Sequence, residues 1–419
     1  MSGFDMNSAS PSNVAAFDAE IVRRDFPILQ QQVNGQPLVY LDSAATTQKP
    51  LAVLDAMQAY YLHDNANVHR AAHALADRAT TAFEQARQIV AAFINSPKLE
   101  QVIWTRGTTE SINLVAHSFG RRQLQPGDKI LVSTLEHHSN IVPWQLVAEE
   151  RGATVEPIPL DASGDLDLSE YRKLLDGPVK LVAINQVSNA LGTVNPVKEI
   201  TELAHAAGAR VLIDGAQAVA HFPVDVQELG CDFYAFSGHK AFGPTGIGVL
   251  WGREELLEQM PPYQGGGEMI ETVSFSKTTF NHLPYKFEAG TPDIAGAIGM
   301  GAALRYLQAL DRAGAQAHES RLLQFCIERG EQMGLQRIGA PRHAAGVYSF
   351  ILPGAHPADV GTLLDQQGVA VRTGHHCTQP LMAHLGLPGT VRASLSIYNT
   401  QQDLERLFTA LEKVKTFLL

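Results

Sequence analysis

Between residues 99 and 251 the chain alternates short apolar runs with stretches of helical periodicity. Strands are expected at 102–105, 129–133, 154–157, 179–185, 210–214, 233–236 and 246–251, with amphipathic helical stretches such as 111–119 and 197–207 between them. Runs such as Val211-Leu212-Ile213 and Leu181-Val182-Ala183-Ile184 are apolar at every position. A strand with one face in water would alternate, because successive side chains point to opposite faces. Strands apolar throughout are buried on both faces, which is the condition of a mostly parallel sheet covered by helices. In such sheets ligands bind beyond the carboxyl ends of the strands. The polar residues that follow each run are therefore where chemistry is expected.

After Met260 the pattern breaks, at Pro261-Pro262, Gly265-Gly266-Gly267 and a loop-rich stretch to Thr291. A helical pattern at 294–310 leads into a second α+β region that ends in a helix at 403–417. At 419 residues two domains are expected. The division reads as a flexible tail at 1–18, a large domain at 36–305, and a small domain made of 19–35 with 306–419. A net charge of −11 lacks the basic footprint of a nucleic-acid binder. Three cysteines are too few and too scattered for a disulfide framework, which favours a reducing compartment. The first twenty residues show no secretory signal, and no later run has the apolar length of a membrane span. A cytoplasmic protein with no membrane partner is expected.

Four strand ends carry reactive groups. The run ending at Thr105 continues Arg106-Gly107-Thr108-Thr109-Glu110-Ser111 into a helix. Backbone N–H groups and the positive end of the helix dipole there suit a phosphate; a capping box built on Thr108 or Thr109 is the plainer alternative. The run ending at Ser133 leads to Glu136-His137-His138-Ser139-Asn140. No carboxylate or cysteine follows at metal-ligand spacing, so no metal site is expected; either a structural histidine or an imidazole lying on a cofactor ring fits. The third run ends in Asp214, then Gly215-Ala216-Gln217. A carboxylate in that position needs a cation, since an unpaired buried charge costs about 3–5 kcal/mol. A structural arginine would serve, and so would a protonated pyridine nitrogen. The fourth is Phe233-Tyr234-Ala235-Phe236-Ser237-Gly238-His239-Lys240. A lysine partly desolvated beside glycines favours Schiff-base chemistry. Gly243, Gly246 and Gly248 precede a strand-like run and not a helix, which excludes a dinucleotide fingerprint.

In the C-terminal region, Val371-Arg372-Thr373-Gly374-His375-His376-Cys377-Thr378 places a cysteine among polar loop residues, and Val391-Arg392-Ala393 follows. A thiol there can ionise and attack. Cys231 and Cys326 read instead as buried small hydrophobes, Cys326 on the apolar stripe of its helix. Arg372 and Arg392 offer planar forks for a carboxylate.

A phosphate cradle, a ring-stacking histidine, a ring-nitrogen aspartate and a Schiff-base lysine, each on its own strand end, together resemble the fold-type I, class V aminotransferase-like enzymes of pyridoxal 5′-phosphate (PLP). The likeness runs from about residue 20 to the end. Arg-Gly-Thr-Thr-Glu-Ser, Glu-His-His-Ser-Asn, Asp-Gly-Ala-Gln, Ser-Gly-His-Lys, Glu-Ala-Gly-Thr-Pro and Arg-Thr-Gly-His-His-Cys look like the Suf-type (group II) cysteine desulfurases and the similar selenocysteine lyases. The compact cysteine loop, without a longer Ser/Ala-rich stretch, points to group II.

The resemblance implies an α/β fold: a mostly parallel, mixed seven-stranded sheet covered by helices, with a smaller α+β C-terminal domain. It implies that Lys240 carries PLP and moves the Cα proton, and that His137 stacks on the ring. Asp214 would pair with the ring nitrogen and Gln217 with the ring oxygen. Thr108, Thr109, Ser237 and His239 would hold the phosphate, and Thr291 would reach the phosphate of the second subunit of a homodimer. Asn189 and Arg392 would bind the substrate carboxylate, with His69 and Arg372 lining the site. L-cysteine would become L-alanine, leaving a persulfide on Cys377 for a Suf-type acceptor in iron–sulfur cluster assembly. The alternative is a selenocysteine lyase acting on L-selenocysteine.

Overall fold

The computed structural model describes residues 17–70 and 72–419. Its centre is a seven-stranded sheet formed by β1 (Val102–Thr105), β2 (Lys129–Ser133), β3 (Thr154–Ile158), β4 (Val179–Asn185), β5 (Arg210–Asp214), β6 (Phe233–Ser237) and β7 (Gly248–Gly252). The spatial order is β1-β7-β6-β5-β4-β2-β3. β7 runs antiparallel to β1 and β6; the other neighbours are parallel.

Each run that is apolar throughout serves two cores. Val211 and Ile213 of β5 point into one and Leu212 into the other; Val182 and Ile184 of β4 part in the same way from Leu181 and Ala183. The first core is covered by α1 (Ala74–Phe93), α3 (Val197–Ala206) and α4 (Ile294–Ala309), the second by α2 (Thr108–Val115) and the helix Val142–Arg151. The seven expected strands are all present. The last begins at Gly248, because Gly246 is held in a turn at φ 81°. The helix expected at 111–119 begins at Thr108 and widens into a π-type turn at Ala116–Gly120.

The C-terminal region forms an antiparallel sheet of β8 (Gln336–Arg337), β9 (Val347–Ile351), β10 (Arg372–Gly374) and β11 (Thr390–Ser394) in the order β8-β9-β11-β10. It packs on α5 (Arg312–Met333), α6 (Pro357–Asp365) and α7 (Gln401–Leu418) around a third core. Strand pairing links the N-terminal stretch to this region. Val39 and Tyr40 pair with Val369 and Ala370, and Val39 and Leu41 enter this third core, although the residues at 36–305 are expected to form the large domain. Two-residue strands carry no periodicity of their own, so only the distant partner defines them. Of the tail expected at 1–18, residues 1–16 lie outside the described residues. Asp18 is part of the fold: it caps the helix Ala19–Arg24 by accepting from the Glu20 N–H at 2.9 Å. Among the described residues no helix is long and apolar enough to cross a membrane.

Candidate active site

The carboxyl ends of β2, β4, β5 and β6 open into a cavity of about 180 Å³, closed from the other side by β10, β11 and the loop between β10 and the helix Gln379–Leu385. Every residue assigned to the site from the sequence lines it except His69 and Thr291.

Lys240 is placed by β6, whose residues are all buried, and by the tight turn Gly238–Lys240. A Cβ on Gly238 would stand 2.9 Å from Ile247 and 3.0 Å from the Pro244 carbonyl, so the turn closes only on glycine. The peptide preceding Lys240 is clamped: the His239 carbonyl accepts from the Thr47 N–H at 3.0 Å, Thr46 Oγ1 at 3.0 Å, Thr47 Oγ1 at 3.1 Å and Lys49 Nζ at 3.1 Å. Burial lowers the Lys240 amine to about 8, against the opposing pull of Asp214; the charge of Arg392 adds to the lowering.

Asp214 ends β5, and its Oδ1 accepts from the Ala216 N–H at 2.9 Å. Burial pushes its carboxyl up, while the Ala216 N–H and the charge of Lys240 act the other way. No arginine, lysine or histidine of the described residues lies within ion-pair distance of it. The structural arginine allowed by the sequence is therefore not its partner.

The capping box does not form. Gly107 opens α2 at φ 147° with no side-chain cap, and Glu110 folds back on the Arg106 N–H at 2.6 Å. Thr108 and Ser237 meet Oγ1 to Oγ at 2.7 Å, joining the helix start to the end of β6. A Cβ on Gly248 would lie 2.4 Å from Gly107 Cα, so glycine lets the two backbones touch. His137 is held by the Ser139 N–H on Nδ1 at 3.1 Å. Burial lowers it to about 3, with Lys240 adding to the effect, so the ring is neutral and flat contact carries no charge penalty. Gln217 donates to the Ala44 carbonyl at 2.7 Å.

Arg392 lies in β11 with its side chain buried. Its Nη1 donates to the Asn189 carbonyl at 2.8 Å and Nη2 to Asp42 at 3.0 Å, while Nε is buried without a partner. Asn189 gives its amide N–H to the His376 carbonyl at 2.8 Å. Cys377 lines the cavity and is partly exposed, whereas Cys231 and Cys326 are wholly buried, with thiols pushed up by burial.

Two assigned residues stand elsewhere. His69 gives Nε2 to Glu84 at 2.9 Å and packs edge-on to Tyr285, so it does not line the cavity of its own chain. Thr291 lies 3.5 Å from Asn67 and faces a separate cavity beside Trp104 and Tyr263. Sequence reasoning missed the clamp at 46–49, Asp42, and the lining residues Ser139, Asn185 and His376. The stretch Asp42-Ser43-Ala44-Ala45-Thr46-Thr47, small and hydroxyl-rich before Pro50, was the available signal.

The model of the class-V aminotransferase family matches residues 39–407. The chain belongs to that family. A protein named cysteine desulfurase from Dickeya dadantii (strain 3937) is 52% identical over 406 residues, covering 97% of this chain and 98% of that one. Among solved structures, the cysteine desulfurase CsdA of Escherichia coli superposes with a TM-score of 0.90 at 43% identity, over 97% of this chain and 100% of that one. The apo cysteine desulfurase of Thermococcus onnurineus NA1 gives 0.90 at 42% identity, over 95% and 98%.

Class-V enzymes of this kind work with PLP, and the donor set fits it. A buried carboxylate without an ion pair meets the need of a pyridinium, a lysine lowered to about 8 meets that of an aldehyde, and a helix start beside hydroxyls meets that of a phosphate.

Proposed function

We propose that this class-V protein is a cysteine desulfurase of the group II type, converting L-cysteine to L-alanine and storing the sulfur as a persulfide on Cys377. One observation carries the reading: Lys240 and Cys377, from different domains, line the same small cavity, while the other two thiols are buried elsewhere.

Bound PLP withdraws electrons from the substrate Cα. Lys240 would anchor it and, as a free amine, would take the Cα proton; an amine lowered to about 8 is partly free to do so near neutrality. Asp214 would keep the ring nitrogen protonated, Gln217 would donate to the ring oxygen, and His137 would cover the ring. Thr108, Thr109, Ser237 and His239 would hold the phosphate. Arg392, with Asn189 and Arg372, orients the substrate carboxylate, its guanidinium pinned by Asp42 and the Asn189 carbonyl. The Cys377 thiolate then attacks the substrate sulfur. The S–S bond would form as the C–S bond breaks, with the electron pair passing to the substrate Cβ; a proton taken up at Cβ and the proton returned by Lys240 to Cα complete alanine.

Thr291, outside the cavity of its own chain, is assigned to the phosphate site of a second copy, which makes the working unit a homodimer. The proposed units are a large domain ending near residue 305 and a small domain of 306–419 with the N-terminal strap. A Suf-type acceptor takes the sulfur toward iron–sulfur clusters in the cytoplasm. Incubation of the holoenzyme with L-cysteine, measuring alanine and sulfide with and without a thiol reductant, tests the reaction. Alanine should accumulate catalytically only with the reductant, and Cys377→Ala should abolish it; no alanine under either condition sinks the reading.

A further inference from the structure

The tandem histidines of the β2 loop face different surfaces. His137 lines the cavity; His138 turns toward the loop that brings Cys377 from the other domain. The His138 backbone N–H donates to the Cys377 carbonyl at 2.8 Å. Its ring Nε2 accepts the Gln379 N–H at 3.0 Å, which is the first backbone donor of the helix Gln379–Leu385. These two hydrogen bonds straddle the cysteine, one on its own carbonyl and one on the amide two residues later. The His138 and His375 rings lie 5.7 Å apart at 35°.

The loop needs such bracing. His376 and Cys377 are consecutive non-glycine residues with φ of 51° and 58°. A side chain in that region costs on the order of 1 kcal/mol and persists only where the surroundings over-determine it. Within the loop, the Cys377 N–H donates to His375 Nδ1 at 3.1 Å. From outside, Asn189 and Thr390 hold His376, on its carbonyl and its Nε2, each at 2.8 Å. Among the hydrogen bonds of the described residues, only those of His138 reach Cys377 and the helix start beyond it from another element. Accepting at Nε2 requires a neutral ring, and burial together with His375 lowers the His138 pKa in the direction that keeps it so.

We propose that His138 is a positioning residue for the nucleophile: its main-chain donor and ring acceptor seat the Cys377 loop against the turn that carries His137. The inference rests on the reading of Cys377 as the sulfur-accepting thiol. Cofactor face and nucleophile are then joined through one peptide bond, 137 to 138, across the domain boundary. A thiol displaced by about 1 Å can lose on the order of a hundredfold in rate.

Two variants of the holoenzyme isolate the ring contact. His138→Gln keeps an acceptor at the reach of Nε2, and His138→Leu fills comparable volume without one; the main-chain bond to Cys377 survives in both. The readouts are PLP absorbance, kcat and KM for alanine formation, and the Cys377 persulfide by mass spectrometry after a single turnover. Both variants should keep the absorbance. The glutamine variant should stay within about threefold of the parent in kcat, and the leucine variant should lose about tenfold or more, with KM within about twofold and little persulfide. Cys377→Ala runs in parallel. If it still forms alanine at the parent rate, the reading of Cys377 fails and the brace with it. If it is inactive yet the leucine variant turns over normally, or glutamine falls as far as leucine, only the brace is wrong. A leucine variant that does not fold or does not hold PLP also overturns it, because one loop contact does not carry the domain.

Discussion

Arg87 and Glu288 meet as a two-pronged buried ion pair, Nη1 to Oε1 at 2.6 Å and Nη2 to Oε2 at 2.9 Å. The arginine side chain is 1% exposed and the glutamate 8%. Glu288 also accepts the Trp104 N–H at 2.8 Å, which ties the Glu-Ala-Gly-Thr-Pro segment to β1 just before Thr291. Arg87 donates further to the Val102 carbonyl at 2.9 Å and to Glu84 at 3.0 Å.

Removing one member of such a pair leaves the other charge buried. Glu288→Ala should therefore cost about 3–5 kcal/mol in urea unfolding, and Arg87→Met combined with Glu288→Leu should cost clearly less. Glu84 still faces Arg87 in the single variant, so the lower end of that range is expected. A loss below about 1 kcal/mol for Glu288→Ala would mean that the pair is not holding the segment.

Lys240 sets a pH prediction for cofactor uptake. An exposed lysine titrates near 10.5; burial brings this one to about 8. Schiff-base formation needs the free amine, so the rate of PLP uptake by the apoprotein should rise about tenfold per pH unit and level off above pH 8. Asp214 pulls the value up, so Asp214→Asn should move the midpoint lower. Stopped-flow absorbance across pH 6 to 10 checks both; a rate still climbing steeply at pH 9.5 would show an ordinary exposed amine.

Much of this site was legible because burial on both faces leaves a mark in the sequence. Val211-Leu212-Ile213 could only be a central strand, so Asp214 had to lie at the ligand-bearing end, and the same reasoning placed Lys240 after β6. Cys377 stood out against Cys326 because its neighbours are polar. What escaped was whatever depends on distant pairing. The clamp on His239 comes from residues 190 or more positions earlier, and Asp42 reaches Arg392 across 350. The individual residues there, a threonine pair and an aspartate, are ordinary in any loop. His69 was assigned to the site by resemblance, but Glu84, 15 residues on along α1, holds its ring within its own chain.

Buried neutral histidines make the apoprotein acid-sensitive. Burial depresses His137 and His376 to about 3 and His239 to about 4, from an ordinary 6.5. Between those values the unfolded chain binds protons that the native one refuses, so stability is full above about pH 6.5 and falls as pH drops toward 4. Calorimetry of the apoprotein should show Tm decreasing steadily from pH 6.5 to 4.5. His376→Asn, which retains a partner for Thr390, should flatten the slope. A Tm independent of pH over that interval would contradict the neutral assignment.

Thiol labelling separates the three cysteines by burial. Cys231 and Cys326 are 0% exposed, and burial raises both thiols, so neither their access nor their ionisation favours reaction. Cys377 is partly exposed and opens onto the cavity. Native protein treated with iodoacetamide near neutral pH should take up one equivalent, on Cys377, and two more only after denaturant is added. Adding a carboxylate that occupies Arg392, such as L-alanine, before the reagent should slow that first labelling, because the substrate position and the thiol share one small cavity. Peptide mapping that finds Cys231 or Cys326 modified first would remove the basis for choosing Cys377 as the residue that receives the sulfur.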